Sequence, residues 1–362
     1  ARLPLLRFAL VRIAADDHIF YRISHHILGD GESWRIFFDE LEAAYSAIRR
    51  GAAPRAREDG LPEYVDYADW QSRLLRPDGR AVQAALAWWN ETLREKWPDF
   101  APRFRRTAPQ PGLDARLGHA TVALDAEASA RIDAVSRANG ATLFVTGLAA
   151  AAAVLADECA SDRVVVGTYL SLRNRSALER MLGDFTAPVL IPLVVAPGLT
   201  FRDWLRRVRA QVAAGTAHAA VPHDLIRPQL ASTGGALPAL GVTFNRRSKQ
   251  AHQPFGSLAH RRLPNPAEAM PWGLSIVITA AAAGSPVKLI ARFDAGLHDP
   301  AGTAAMLHRL ARFLALAARA PDERVADLLG LRETTGPLGA LRRYATRLMS
   351  FGGSMSFGRG QT

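Results

Sequence analysis

A single cysteine, Cys159, stands in 362 residues, which excludes a disulfide framework and any zinc or iron–sulfur site built on cysteine. Its place after an apolar helix, with no base beside it, also speaks against a nucleophilic role. Lysine is nearly as scarce. Only Lys96, Lys249 and Lys288 among the 45 basic residues are lysine, at a formal net charge of +11. No uncharged apolar run approaches the roughly 18 residues that span a bilayer. The nearest, Gly147 to Leu155, is alanine-rich and short, and reads as a core helix. GxSxG, P-loop and GxGxxG patterns are missing, so nothing suggests a hydrolase, an NTPase or a dinucleotide enzyme.

What is present fits a folded globular chain. Hydrophobic residues make up 49% and charged residues 22%, with a mean hydropathy of −0.01. A cytoplasmic protein with a sizeable core is expected, with no membrane contact. The basic residues do not gather on one element. The pairs Arg49-Arg50, Arg105-Arg106, Arg206-Arg207 and Arg246-Arg247 fall in different segments, and no basic run interleaves with aromatics as a single-strand platform would. Nucleic-acid binding is therefore not expected. Arginine with abundant alanine is what GC-rich coding produces, and the excess charge suits an acidic protein partner.

The chain opens at Ala1 and runs straight into an apolar stretch, which suggests a fragment of something longer. Leu6 to Ile13 and His18 to His26 read as antiparallel strands. Ser33 is expected to cap a helix from Trp34 to about Arg49. Helices follow near Tyr64–Arg76 and Ala81–Glu95. Trp97 to Gly118 is proline-rich and marks a domain connection. Beyond it come a strand at Ala120–Leu124, helices at Ala126–Asn139 and Thr142–Asp157, and a β-branched strand at Val164–Thr168. A strand at Val189–Val195 is interrupted by Pro192. A helix spans Phe201–Ala217, strands lie near Leu240–Phe244, Leu274–Thr279 and Val287–Phe293, and a last helix runs from Ala301 to Ala318. Trp70, Trp88, Trp89 and Trp204 occupy apolar helical positions and are expected in the core. Residues 332–362 read as a linker or tail.

One heptapeptide carries chemistry: His25-His26-Ile27-Leu28-Gly29-Asp30-Gly31. Read as a strand end, it sends the two histidines to opposite faces, which argues against joint metal chelation. A histidine fixed before a Gly-Asp-Gly turn supplies a base of near-neutral pKa. Asp30 is expected to fold inward to an arginine and lock the turn, and the backbone N–H of Gly31 to face an oxyanion. Those are the parts acyl transfer needs. The alternative is that two ordinary histidines end a strand and Gly-Asp-Gly is merely a turn.

This heptapeptide, followed by Ser33-Trp34, resembles the HHxxxDG core motif of nonribosomal peptide synthetase condensation domains, in the chloramphenicol acetyltransferase-like superfamily. Further segments match in order: Tyr64-Val65-Asp66-Tyr67-Ala68-Asp69-Trp70-Gln71; Asn139-Gly140-Ala141-Thr142-Leu143-Phe144; Val166-Gly167-Thr168 with Arg173-Asn174-Arg175; Leu182-Gly183-Asp184-Phe185; His218 to Asp224; and Arg292 to Leu297. The likeness extends over about residues 1–331. Two departures stand out. The family carries a longer N-terminal stretch with two more motifs. Its fifth motif, GfFvNtlvlR, is replaced by Gly183 to Pro192, with Ala187 at the asparagine position and Pro192 at the arginine position. The GDFT wording is nearer to heterocyclization domains, but those carry an aspartate where this chain has His25.

The resemblance implies an α/β (α+β) two-lobed fold, a pseudo-dimer of lobes with the active site in a channel between them. Residues 1–115 would form a partial N-terminal lobe and 116–331 the C-terminal lobe. It implies amide formation between an acyl donor and an amine acceptor, with His26, His25 and Gly31 catalytic and Asp30 structural. Asn245 and Trp34 are candidates to line the channel, and His218 to be structural. The domain would bind no cofactor or metal itself. Its substrates would arrive on the 4'-phosphopantetheine of acidic carrier domains beside an adenylation domain. Three alternatives stay open: an epimerization domain, for which no C-lobe motif is found; a stand-alone acyltransferase using acyl-CoA; and a non-catalytic scaffold or recruitment remnant.

Overall fold

The computed structural model describes residues 4–55, 60, 62–95, 97–107, 117–232, 240–247, 258–261, 263, 273–280 and 285–330. The expected connection at 115/116 and the tail at 332–362 lie outside them. Near the N-terminus, β1 (Leu6–Arg12) and β2 (His18–Ser24) form an antiparallel hairpin, in register from Leu6↔Ser24 to Arg12↔His18. Phe8 and Phe20 come together on one face of this pair, ring centroids 5.6 Å apart. Phe8 stacks in turn on Phe37 of α1 (Gly31–Arg49) at 5.4 Å, so aromatic packing seats the hairpin on the helix.

A second, six-stranded sheet holds β3 (Leu117–Ala123), β4 (Arg163–Ser171), β5 (Thr186–Val194), β6 (Val242–Arg246), β7 (Leu274–Thr279) and β8 (Lys288–Asp294), in the order β3-β8-β7-β6-β4-β5. The β4–β6 and β6–β7 pairs are parallel and the rest antiparallel. Helices α4 (Ala126–Ala138), α5 (Leu143–Glu158), α6 (Phe201–Ala217) and α8 (Pro300–Arg319) pack with it around one large core. Between them in sequence lies α7 (His223–Ser232), and α9 (Val325–Leu328) follows. Thr142 caps α5, its Oγ1 accepting from Val145 N. That helix is buried from Val145 to Ala156. Its small residues allow close approach, since a Cβ on Gly147 would come within 2.8 Å of Phe244 and Ile278. Among the described residues no single helix is long and apolar enough to cross a membrane.

Several expectations need correction. The strand containing Pro192 is not interrupted: β5 runs through both Pro188 and Pro192. Among the described residues it sits at the end of the sheet order, with β4 on one side only. Prolines four residues apart direct their missing N–H the same way, so an outer strand can turn both away from its partner. The cap of α1 is Asp30, not Ser33, and the helix begins three residues earlier than expected. Trp89 and Trp204 are buried, but Trp70 is 42% exposed and carries the Arg175 guanidinium 4.8 Å from its ring. His218 stacks on Trp88 at 5.0 Å.

Two helices ahead of the expected lobe boundary also pack on the later part of the chain. Leu75, Val82, Leu86 and Trp89, from the end of α2 (Tyr64–Leu74) into α3 (Arg80–Thr92), cluster with Val165 of β4, Leu190 of β5 and Ile226 of α7. Tyr67 of α2 packs with Leu178, Met181 and Phe185. This second seam brings the 173–185 segment up to the HHILGDG turn.

Candidate active site

The strand β2 stops at Ser24, before either histidine. His25 N still bonds to Leu5 O at 2.9 Å, and the chain then winds into a 3-10 turn, His26–Leu28. His25 caps this turn: its Nδ1 accepts from Ile27 N at 3.2 Å. Strand alternation therefore does not separate the two rings, contrary to expectation. They part because His25 folds back onto its own turn while His26, 75% exposed, reaches across to another segment. No cluster of three or more metal-ligating side chains occurs among the described residues.

Four residues after His26 the chain goes inside. Asp30 is 4% exposed and Ser33 1%. The Asp30 Oδ1 accepts from Ser33 N (2.8 Å) and Arg173 Nη2 (3.0 Å), with the Ser33 hydroxyl oxygen 2.9 Å away. Its Oδ2 accepts from Phe185 N at 3.2 Å. Arg173 Nη1 donates to the carbonyls of Leu178 and Met181, and its guanidinium lies 4.2 Å from the Phe185 ring. Ser33 Oγ donates to Gly183 O at 2.7 Å and accepts from Gly183 N at 3.1 Å. A buried charge pair holds only when its remaining donors and acceptors are also met, as they are here. Burial pushes the Asp30 carboxyl up, but the hydrogen bonds from Arg173 and Ser33 outweigh it and hold the group below the usual carboxylate range.

Glycine is required at two points of this latch. A Cβ on Gly29 would lie 2.8 Å from Ser33 Cβ, and one on Gly183 would lie 2.0 Å from the Tyr64 ring. Trp34 closes the turn from behind, with Nε1 donating to Gly29 O at 3.1 Å and Arg22 stacked 3.4 Å over its ring. Gly31 is the first residue of α1, at the positive end of that helix.

The other expected residues lie as follows. Asn245 joins strands: its Oδ1 accepts from Thr168 Oγ1 (3.2 Å) and Tyr169 N (3.1 Å), extending the β4–β6 pairing registered at Gly167↔Thr243. Burial raises the Cys159 thiol to about 12, which leaves it unreactive. A cavity of about 480 Å³ near Arg103, Glu158 and Arg309 shares no lining residue with the histidine turn.

One contact was not foreseen. Asp184 reaches His26, Oδ2 to Nδ1 at 3.0 Å, across 158 residues of sequence. Its Oδ1 accepts from Thr186 N at 3.1 Å, and Tyr64 Oη donates to its carbonyl at 2.7 Å. The available signal was the altered fifth motif, which sets an acidic residue in an otherwise apolar run.

A family model described as Condensation domain matches residues 1–335. A linear gramicidin synthase of Brevibacillus parabrevis is 33% identical over 228 residues, 63% of this chain and 3% of that protein. Phosphinothricin tripeptide synthetase PhsC of Streptomyces viridochromogenes is 31% identical over 226 residues, 61% of this chain and 20% of its own length. The chain thus spans a small part of the curated relatives it matches. Among solved structures, the complex of the X-domain and OxyB from teicoplanin biosynthesis matches at a TM-score of 0.77 and 28% identity, over 90% of this chain and 72% of that one. The condensation domain from Monacolin K polyketide synthase MokA matches at 0.72 and 20%, over 89% and 74%, a likeness of fold. With the HHxxxDG turn latched to the C-terminal part and the family model covering nearly the whole chain, this protein belongs to the condensation domain family and has its chloramphenicol acetyltransferase-like fold.

Proposed function

We propose that this chain forms an amide between an acyl thioester and an amine, each delivered on the phosphopantetheine arm of a carrier domain. The single observation that carries the reading is an exposed histidine on a turn locked to a second segment by a buried aspartate–arginine pair. An α-amino group with a pKa of about 7.7–8.0 is partly neutral at physiological pH, so a positioned base suffices. The amine nitrogen attacks the thioester carbonyl carbon. The C–N bond forms, the C–S bond breaks, and the proton lost by the amine passes to His26 and on to the departing thiolate. Gly31, opening α1, brings the positive end of a helix to the same turn, which supports stabilisation of the developing oxyanion. His25 serves by shaping the turn. A net charge of +11 suits acidic carriers, and an adenylation domain would load them.

The test offers the chain a carrier-bound acyl donor and a carrier-bound aminoacyl acceptor, with the free coenzyme A thioester of the same donor in parallel. Amide on the acceptor carrier from the carrier-bound donor is expected. Transfer from the coenzyme A thioester alone would replace this reading with the stand-alone acyltransferase. A second reading, docking of a partner protein without catalysis, draws on the likeness to the X-domain solved in complex with OxyB. It predicts no amide from any donor.

A further inference from the structure

We propose that Asp184 is the positioning residue of His26, holding a proton on Nδ1 and so presenting the Nε2 lone pair to the reacting amine. The catalytic consequence rests on the condensation reading above, whereas the contact does not. A carboxylate only accepts hydrogen bonds. With Asp184 Oδ2 3.0 Å from Nδ1, a neutral ring makes this bond only as the Nδ1–H tautomer, which leaves Nε2 as the base.

The carboxylate is itself held in place. Thr186 N fixes its other oxygen and Tyr64 Oη fixes its carbonyl. On either side, Gly183 N bonds to Ser33 Oγ and Phe185 N to Asp30 Oδ2, so the buried latch sets the position of Asp184 from both flanks. The resembled motif has phenylalanine at this point, so the altered fifth motif gains a function where sequence comparison alone registers a loss. Once Nε2 has taken the amine proton, the ring is an imidazolium whose Nδ1–H still faces a carboxylate. Release of that proton to the thiolate returns the pair to its starting state. Because His26 is 75% exposed and Asp184 27%, water screens the attraction, and the pair acts by orienting the ring.

The test is the nitrogen NMR spectrum of the full chain labelled with ¹⁵N-histidine at pH about 8, above the ordinary histidine range. The His26→Ala spectrum assigns the signals. The wild type is expected to show the Nδ1–H pattern at His26. In Asp184→Asn the amide oxygen keeps the bond from Thr186 N, which turns the amide nitrogen toward His26 Nδ1. That N–H then donates, the proton moves to Nε2 and the pattern reverses. Single-turnover amide formation should fall about tenfold with KM for the carrier-bound donor unchanged. Asp184→Ala, with no carboxylate at Nδ1, should shift toward the Nε2–H form that an unpartnered histidine favours. An Nε2–H pattern in the wild type, or an Asp184→Asn spectrum like the wild type's, overturns the proposal. An Nδ1–H wild type that makes no amide upholds the positioning and sinks the condensation reading. An active wild type with Nε2–H does the reverse.

Discussion

The same two segments meet twice, at 30 and 173–185 inside the protein and at 26 and 184 on its surface, and the two meetings do different work. At the first, both side chains of the ion pair are about 5% exposed and every group is bonded several times over. At the second, one bond joins an exposed histidine to a carboxylate that is 27% exposed. A buried pair of this kind fixes geometry and tolerates no vacancy, whereas an exposed pair adds little stability and leaves its members free to react. Three residues of chain, Ile27 to Gly29, thus separate the buried latch from the exposed histidine at which the chemistry is proposed.

The largest effect is expected at Asp30. Asp30→Ala leaves the Arg173 guanidinium buried without its counter-charge and is expected to cost about 3–5 kcal/mol, read as a lowered melting temperature. Replacing Arg173 as well, by methionine, should recover part of that loss. Recovery of none would show that the pair does not act as a unit. The pH dependence follows the same logic. Asp30 is held below its unfolded value, so its contribution is fully present above about pH 4 and is lost as pH falls through the lower folded value.

A second buried group sharpens the contrast, because it titrates in another window. His298 is 3% exposed and leans on Phe104, with its Nδ1 unpaired among the described residues. Burial, helped by Arg105, lowers it to about 4. The unfolded chain takes up this proton near pH 6.5 and the folded chain does not, so stability should decline by about 3 kcal/mol from pH 6.5 to 4. His298→Phe should flatten unfolding free energy over that range, and an unchanged slope would remove His298 from the account. The smallest effect is expected at Trp34. Trp34→Phe loses the bond to Gly29 O and should cost about 1 kcal/mol, measured by urea unfolding. A loss as large as that of Asp30→Ala would mean that the turn is held from behind and not by the latch.

Much of the body was legible because its elements follow local rules. The helical period of Phe201–Ala217 and the apolar run of Leu274–Thr279 stand in the structure with those same bounds. Thr142 caps its helix as its residue type and position lead one to expect. Asp30 and Ser33 are both capping residue types, and only the burial of Asp30 against Arg173 decides between them. Pro192 reads as a breaker until the sheet order places its strand at one end. The inward turn of Asp30 toward an arginine follows from the Gly-Asp-Gly turn, but the choice of Arg173 follows from the distant packing of the 173–185 segment. Asp184 was out of reach for a related reason: its meeting with His26 depends on how α2 and the 173–185 segment pack, which no local pattern encodes.

The separation of holding from chemistry is tested most directly by His26→Ala, with melting temperature and single-turnover amide formation measured on the same preparation. The exposed ring adds little stability, so the melting temperature should stay within about 1 °C of the wild type while the rate falls by about 10²-fold or more. Near-wild-type amide formation by the folded variant would show that the ring at position 26 takes no part in the chemistry.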